Sequence, residues 1–165
     1  MPRNLHYLAF AAVLAGSTAA AAPLPAQEYI GRGTQVYSCG IGNGGPSWQL
    51  LGPDAHMYNE AGKAIARHFY GPTWQANDGS EIKGKVLTAN ASPAGPRNAP
   101  WLVLHATSEG GSGIFTLVTT VTRTDTSGGG KPVQACTTAN QGTTVKVPYS
   151  ARYTFFSEAP AAPAS

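Results

Sequence analysis

Ile114-Phe-Thr-Leu-Val-Thr-Thr-Val-Thr-Arg-Thr124 is the stretch that decides the fold class. It is the longest strand candidate in the chain. It is dense in β-branched residues, whose stiff side chains suit a pleated, half-buried surface. Side chains along a strand alternate between two faces. Phe115, Leu117 and Val121 therefore fall on one side, and Thr116, Thr120 and Thr122 on the other. Downstream, residues 127–132 form a glycine loop. Val145-Lys-Val-Pro148 and residues 149–156 then make the last strand or strands, with Tyr149, Ala151, Tyr153 and Phe155 on one face. Upstream, Trp101-Leu-Val-Leu104 is continuously apolar, the pattern of a strand buried on both faces. A proline-rich loop, residues 92–100, precedes it.

Further upstream the grammar is strand, turn, strand. Residues 34–39 alternate and are rich in β-formers, with Val36 and Tyr37 on opposite faces. Residues 55–59 and 64–70 flank the turn Asn59-Glu-Ala-Gly62, and residues 73–76 and 81–89 flank Asn77-Asp-Gly-Ser80. Both turns place Gly where a positive φ is needed. No window carries a helical stripe of useful length. The expected fold is all-β: an antiparallel β-sandwich or barrel of about eight strands with one disulfide. The expected layout is a signal peptide over residues 1–22, a flexible lead-in over 23–32, a single β domain over 33–157 and a disordered Ala/Pro tail over 158–165.

Composition agrees with a packed domain. Of 165 residues, 42% are hydrophobic and 12% charged, about half the charged share usual in a soluble domain. One core is affordable and charge-driven disorder is excluded. The formal charge is +3, but the basic residues are scattered without a run. That excludes the clustered basic stripe of a nucleic-acid binder. Arg3, the apolar run from Leu5 to Leu14 and Ala19-Ala20-Ala21 have the layout of a secretory leader. Leu14-Ala-Gly-Ser17 has the form of a lipoprotein cleavage box, with Ser where lipid attachment needs Cys. The expectation is a secreted or periplasmic protein without a membrane anchor. In such an oxidising compartment the two cysteines, Cys39 and Cys136, most simply pair. A metal or catalytic thiol site lacks its C-x-x-C spacing.

Several literal motifs fail on context. Gly40-Ile-Gly-Asn-Gly-Gly45 matches the dinucleotide fingerprint, but Pro46 and Gly52-Pro53 leave no room for the helix that would hold a pyrophosphate. Gly128-Gly-Gly-Lys131 is followed by Pro132 where a phosphate loop needs Ser or Thr. Gly110-Gly-Ser-Gly113 has Ile114 where a nucleophile elbow needs Gly. His56, His68 and His105 are not spaced as a zinc set. His56 is read as a hairpin surface residue, and His105 as a structural histidine sharing a strand face with Trp101 and Val103. No metal and no cofactor is expected.

The remaining constellation is His68-Phe-Tyr-Gly-Pro-Thr-Trp74 followed by Asp78-Gly-Ser80. Read functionally, His68 is a proton carrier oriented by Asp78, and Trp74 offers a flat face to a sugar or other ligand. Read structurally, Gly71-Pro72 turns a corner, Trp74 fills the core and Asp78 accepts backbone hydrogen bonds in its turn.

The residues also carry a resemblance. Val36-Tyr-Ser-Cys39, Trp48, Pro53-Asp-Ala55, the segment from His68 to Trp74, Asp78-Gly-Ser80, Pro100-Trp-Leu102, Arg123-Thr-Asp-Thr-Ser-Gly-Gly129, Cys136 and Tyr149-Ser-Ala-Arg-Tyr153 occur in that order. This series resembles the exported bacterial and fungal family catalogued as the domain of unknown function numbered three-four-five-five. The resemblance runs from about Gly33 to Phe156. That family often has an acidic residue after Gly-Pro-Thr-Trp and another near the end of the chain; here Gln75 and Arg152 stand in those places.

The leading expectation is a non-catalytic exported module that binds a small molecule, a glycan or an envelope partner. Its binding residues would be His68, Tyr70, Trp74, Asp78 and Arg123, with no catalytic residue assigned. One alternative is a hydrolase- or lyase-type enzyme using His68 and Asp78. Another is a structural or stress-protective envelope protein.

Overall fold

Turn chemistry sets the topology. Gly62 and Gly79 take φ of 73° and 94° within the two expected turns, angles that cost little only without a Cβ. Each tight reversal lays a strand against its predecessor. In the computed structural model, which describes residues 24–158, the strands are β1 (Gln27–Gly42), β2 (Gly45–Tyr58), β3 (Ala64–Phe69), β4 (Thr73–Ala76), β5 (Glu81–Asn90), β6 (Trp101–Gly110), β7 (Val118–Gly128) and β8 (Thr144–Ser157). All neighbours are antiparallel and follow chain order. β1 closes the ring on β8, from Gln27↔Phe155 to Ser38↔Thr144. Of the two expected architectures the chain adopts the barrel, which leaves no open sheet edge. The leader expected over residues 1–22 and the Ala/Pro tail beyond Glu158 lie outside the described residues. Among the described residues no helix is long and apolar enough to cross a membrane.

Three expectations are corrected. β1 begins at Gln27 and so takes in residues 27–32, which the sequence assigned to a lead-in. Gly31 and Gly33 hide that strand, yet Gly31 is required there: a Cβ on it would lie 2.6 Å from the Tyr153 ring. The long threonine-rich strand starts at Val118 rather than Ile114. Its first residues instead curl into a turn held by Thr116 N–H to Gly113 O (3.1 Å), Val118 N–H to Phe115 O (3.1 Å) and Gly113 N–H to Thr116 Oγ1 (2.7 Å). Local side-chain bonding of this kind outcompetes a ladder. β6 is buried on one face only. Leu104 and Ala106 point inward and His105 is exposed, so its expected structural role is not filled. A single-walled barrel has solvent on its outer face.

The lower half of the interior is solid. Phe115, rolled under the barrel by its turn, stacks on Phe155 at 4.9 Å, and Met57, Ile82, Val118 and Val121 pack around them. Asp78 holds this plug in place. Its Oδ1 accepts from the Ser80 N–H (3.0 Å) and the Ser80 hydroxyl (2.7 Å), and its Oδ2 accepts from the Ile114 N–H (2.8 Å). Ser80 Oγ in turn accepts from the Phe115 N–H at 3.2 Å. These bonds, the Ser80 hydroxyl first, hold the exposed Asp78 carboxyl below its ordinary value of 3.8.

Beyond the barrel, β1, β2 and the start of β8 extend as a flap with its own cluster of Tyr37, Cys39 and Trp48. The Cys39–Cys136 disulfide, with Cα atoms 5.4 Å apart and the cysteines 97 positions apart in sequence, ties the flap to the segment before β8. Trp48 Nε1 donates to Gln134 O at 2.7 Å beside it.

Two predictions follow from these ties. Replacing both cysteines with Ser removes a loop constraint worth about 4–5 kcal/mol in the chain-entropy account, read as a lowered urea midpoint; an unchanged midpoint would show the flap to be held by its packing alone. Asp78→Asn tests the plug. Folding favours the ionised Asp78, so its contribution is present above the unfolded pKa and lost as pH falls through the lower folded value. The variant is expected to be less stable than wild type at neutral pH, with the gap closing below about pH 4. Urea midpoints across that range check it, and a gap indifferent to pH would remove Asp78 from this role.

Candidate functional site

Inward-facing positions of β3, β4 and β8 build a floor across the middle of the barrel. His68 pairs with Trp74 across β3 and β4, and their rings stack at 4.3 Å with 6° between planes. The Tyr153 ring meets both edge-on, at 5.2 and 6.0 Å. Space for the indole comes from Gly84, where a Cβ would stand 2.9 Å from the Trp74 ring. Above this floor the barrel is not filled. A cavity of about 420 Å³ opens there, walled by Gln35, Leu102, Leu104 and Arg123. Its mouth is formed by Leu50, Leu51, Tyr70 and Val86. Leu51 is the extra residue of a bulge in β2, where Val36↔Gly52 is followed by Tyr37↔Leu50. The bulge leaves Leu50 and Leu51 52% and 44% exposed at the rim.

The polar atoms in this half are few and fixed. His68 is buried, and its Nδ1 donates to Thr73 O at 2.9 Å, which leaves Nε2 unprotonated. Burial holds the imidazole down at about 3, so it is neutral across the physiological range. The Tyr149 and Tyr153 hydroxyls are 3.0 Å apart, and burial pushes both phenols up, keeping them protonated. Arg123 is 6% exposed and donates to Pro100 O through Nε (3.0 Å) and Nη2 (2.8 Å). The ion pairs among the described residues join Lys146 to Asp54 and Arg152 to Glu28 and Asp125; Arg123 is in none of them. Gln35 is 1% exposed, and neither atom of its amide has a hydrogen-bond partner among the described residues. Trp74 Nε1 is in the same position.

Of the five residues singled out in the sequence, His68, Tyr70, Trp74 and Arg123 line this one cavity. Asp78 does not. It sits in the turn after β4, whereas the cavity lies at the end where Tyr70, Gly71 and Pro72 join β3 to β4. The pairing of His68 with Asp78 is therefore not made, because the two flank opposite ends of one strand and each has other partners. Nor can Trp74 offer a flat face to a sugar: it is fully buried, with His68 on one side and Tyr153 and Phe155 at its edges. Chemically, the arrangement presents apolar walls, one cation, one free amide and a neutral imidazole. A base whose conjugate acid has so low a pKa is poorly matched to proton transfer near neutrality.

Sequence reasoning missed Gln35, Pro100, Leu104 and Tyr153 as cavity walls. For Gln35 a signal existed. It lies on the same strand face as Tyr37 and Cys39, and a cysteine tied across the fold must face inward.

No curated protein and no solved structure matches this chain. The family model described as a protein of unknown function, DUF3455, matches residues 20–157. That match runs from ahead of β1 to the last residue of β8 and takes in every wall of the cavity, so the chain belongs to the DUF3455 family of proteins of unknown function.

Proposed function

We propose that this barrel is a non-catalytic small-molecule binding module that works in an exported, oxidising compartment. One observation carries the reading: the cavity of about 420 Å³ between the aromatic floor and the leucine-lined mouth. Its size falls in the range of roughly 300–1,000 Å³ typical of small-ligand sites. An eight-stranded barrel is just wide enough either to be filled by its own side chains or to hold one small ligand. Here it is filled over half its depth. Apolar walls carrying a few convergent polar groups are the usual composition of such sites. A small molecule is favoured over a glycan because the buried Trp74 gives no open stacking face. It is favoured over catalysis because the neutral His68 has no carboxylate at hand. The disulfide supports an oxidising compartment.

The test is uptake of Nile red, a neutral apolar dye whose emission rises on leaving water. Saturable binding at one dye per chain is the expected result. Leu102→Trp should crowd the cavity at a cost of about 1–3 kcal/mol, weakening the dye by about tenfold or more while thermal unfolding stays cooperative. Absence of uptake, or uptake indifferent to Leu102→Trp, would overturn the reading.

A further inference from the structure

Arg123 poses a problem that the fold alone does not solve. A guanidinium cannot shed its proton in a protein, and a buried charge is costly unless paired. Arg123 is 6% exposed, yet no carboxylate among the described residues pairs with it. The neighbouring phenols are protonated and supply no countercharge. The Pro100 carbonyl supplies a dipole, and it occupies the Nε–Nη2 edge of the guanidinium. The Nη1–Nη2 edge faces no carboxylate among the described residues; the Tyr153 hydroxyl beside it offers a neutral hydrogen-bond partner but no charge, and the edge is a planar fork suited to a carboxylate. Independently, Gln35 on the wall of the same cavity is 1% exposed and has an amide without a hydrogen-bond partner among the described residues. Two buried polar groups thus border one space: among the described residues the amide has no hydrogen-bond partner, and the guanidinium has hydrogen bonds but no countercharge.

Resting on the small-molecule reading above, we propose that the ligand is an apolar monocarboxylate. Its carboxylate pairs with Arg123, with the Gln35 amide as a further donor inside the cavity, and its hydrocarbon lies along the apolar walls toward the mouth. The charge count selects a monoanion. Among the described residues lining the cavity, Arg123 is the one ionised side chain, so a dianion such as a phosphate monoester would bring a second, uncompensated charge into an apolar space. The rim selects the apolar body: Leu50, Leu51 and Val86 continue the apolar surface outward and are 52%, 44% and 46% exposed.

The experiment is displacement of Nile red from the oxidised protein at neutral pH by decanoate and by decan-1-ol, which share a chain and differ in charge. A hydrogen-bonded charge contributes about 1.5–3 kcal/mol. Decanoate should therefore displace the dye at about ten- to a hundredfold lower concentration than the alcohol. Arg123→Gln should bring that ratio close to one. Equal displacement by the two compounds in the wild type, or displacement by neither, would overturn the carboxylate assignment and leave the small-molecule reading standing. A ratio that survives Arg123→Gln would overturn it too. Absence of any dye uptake would end both. Should Arg123→Gln fail to fold, the wild-type ratio still decides.

Discussion

The stacked layer of His68, Trp74 and Tyr153 is what the rest of this barrel depends on. An eight-stranded barrel has an interior that side chains can just fill, and three large rings at one level are enough to close it. The layer exists because small residues face it: Gly31 beneath the Tyr153 ring and Gly84 beside the indole leave the space that Cβ atoms would take. Below the layer, Phe115 and Phe155 complete an apolar core. Above it, no comparable set of large side chains reaches across. The same three rings are thus the roof of the core and the floor of the cavity. Aromatic contacts of this kind add about 0.5–1.5 kcal/mol per pair beyond the area they bury, and a stack at 6° locks the orientation of both partners.

Strand β4, only four residues long, separates two jobs that look like one in the sequence. The turn before it carries Tyr70 to the cavity mouth. The turn after it carries Asp78 to the bottom plug. Proximity along the chain suggested a His–Asp pair, but a strand rises about 3.3 Å per residue, so even a short one carries the two out of reach. His68 turns instead to Thr73 O across the nearer turn, and Asp78 to Ser80 and Ile114. The structural reading of Asp78, as a carboxylate accepting backbone hydrogen bonds, describes its position; the proton-relay reading does not.

How legible the fold was depended on whether local pattern or long-range packing governed each segment. Tyr149, Ala151, Tyr153 and Phe155 were read on one face by simple alternation, and all four are buried. The hairpin turns were read from their Gly and Asn residues. By contrast, the start of β1 was hidden because Gly31 and Gly33 are poor strand formers, chosen for what packs against them rather than for propensity. Residues 114–117 were misread because threonine has two uses, filling a ladder or capping a turn. Four of the five candidate residues line one cavity, and they drew notice because His, Tyr, Trp and Arg are conspicuous in a sequence with little charge. Gln35 was not, because an uncharged amide in a strand draws notice only once its burial is known.

The disulfide has a second consequence besides restricting the unfolded chain. Cys39, Tyr37 and Gln35 lie on one face of β1, so the anchored end of the strand continues directly into the cavity wall. Tyr37 donates its hydroxyl to Gly129 O at 2.8 Å. Gly129 lies so close to Tyr149 and Gln35 that a Cβ on it would sit 2.7 Å from one side chain and 3.0 Å from the other. Fixing Cys39 to Cys136 therefore steadies the residues that hold Gln35 and Tyr149 in position. The bond that closes the flap also shapes the wall of the cavity below it.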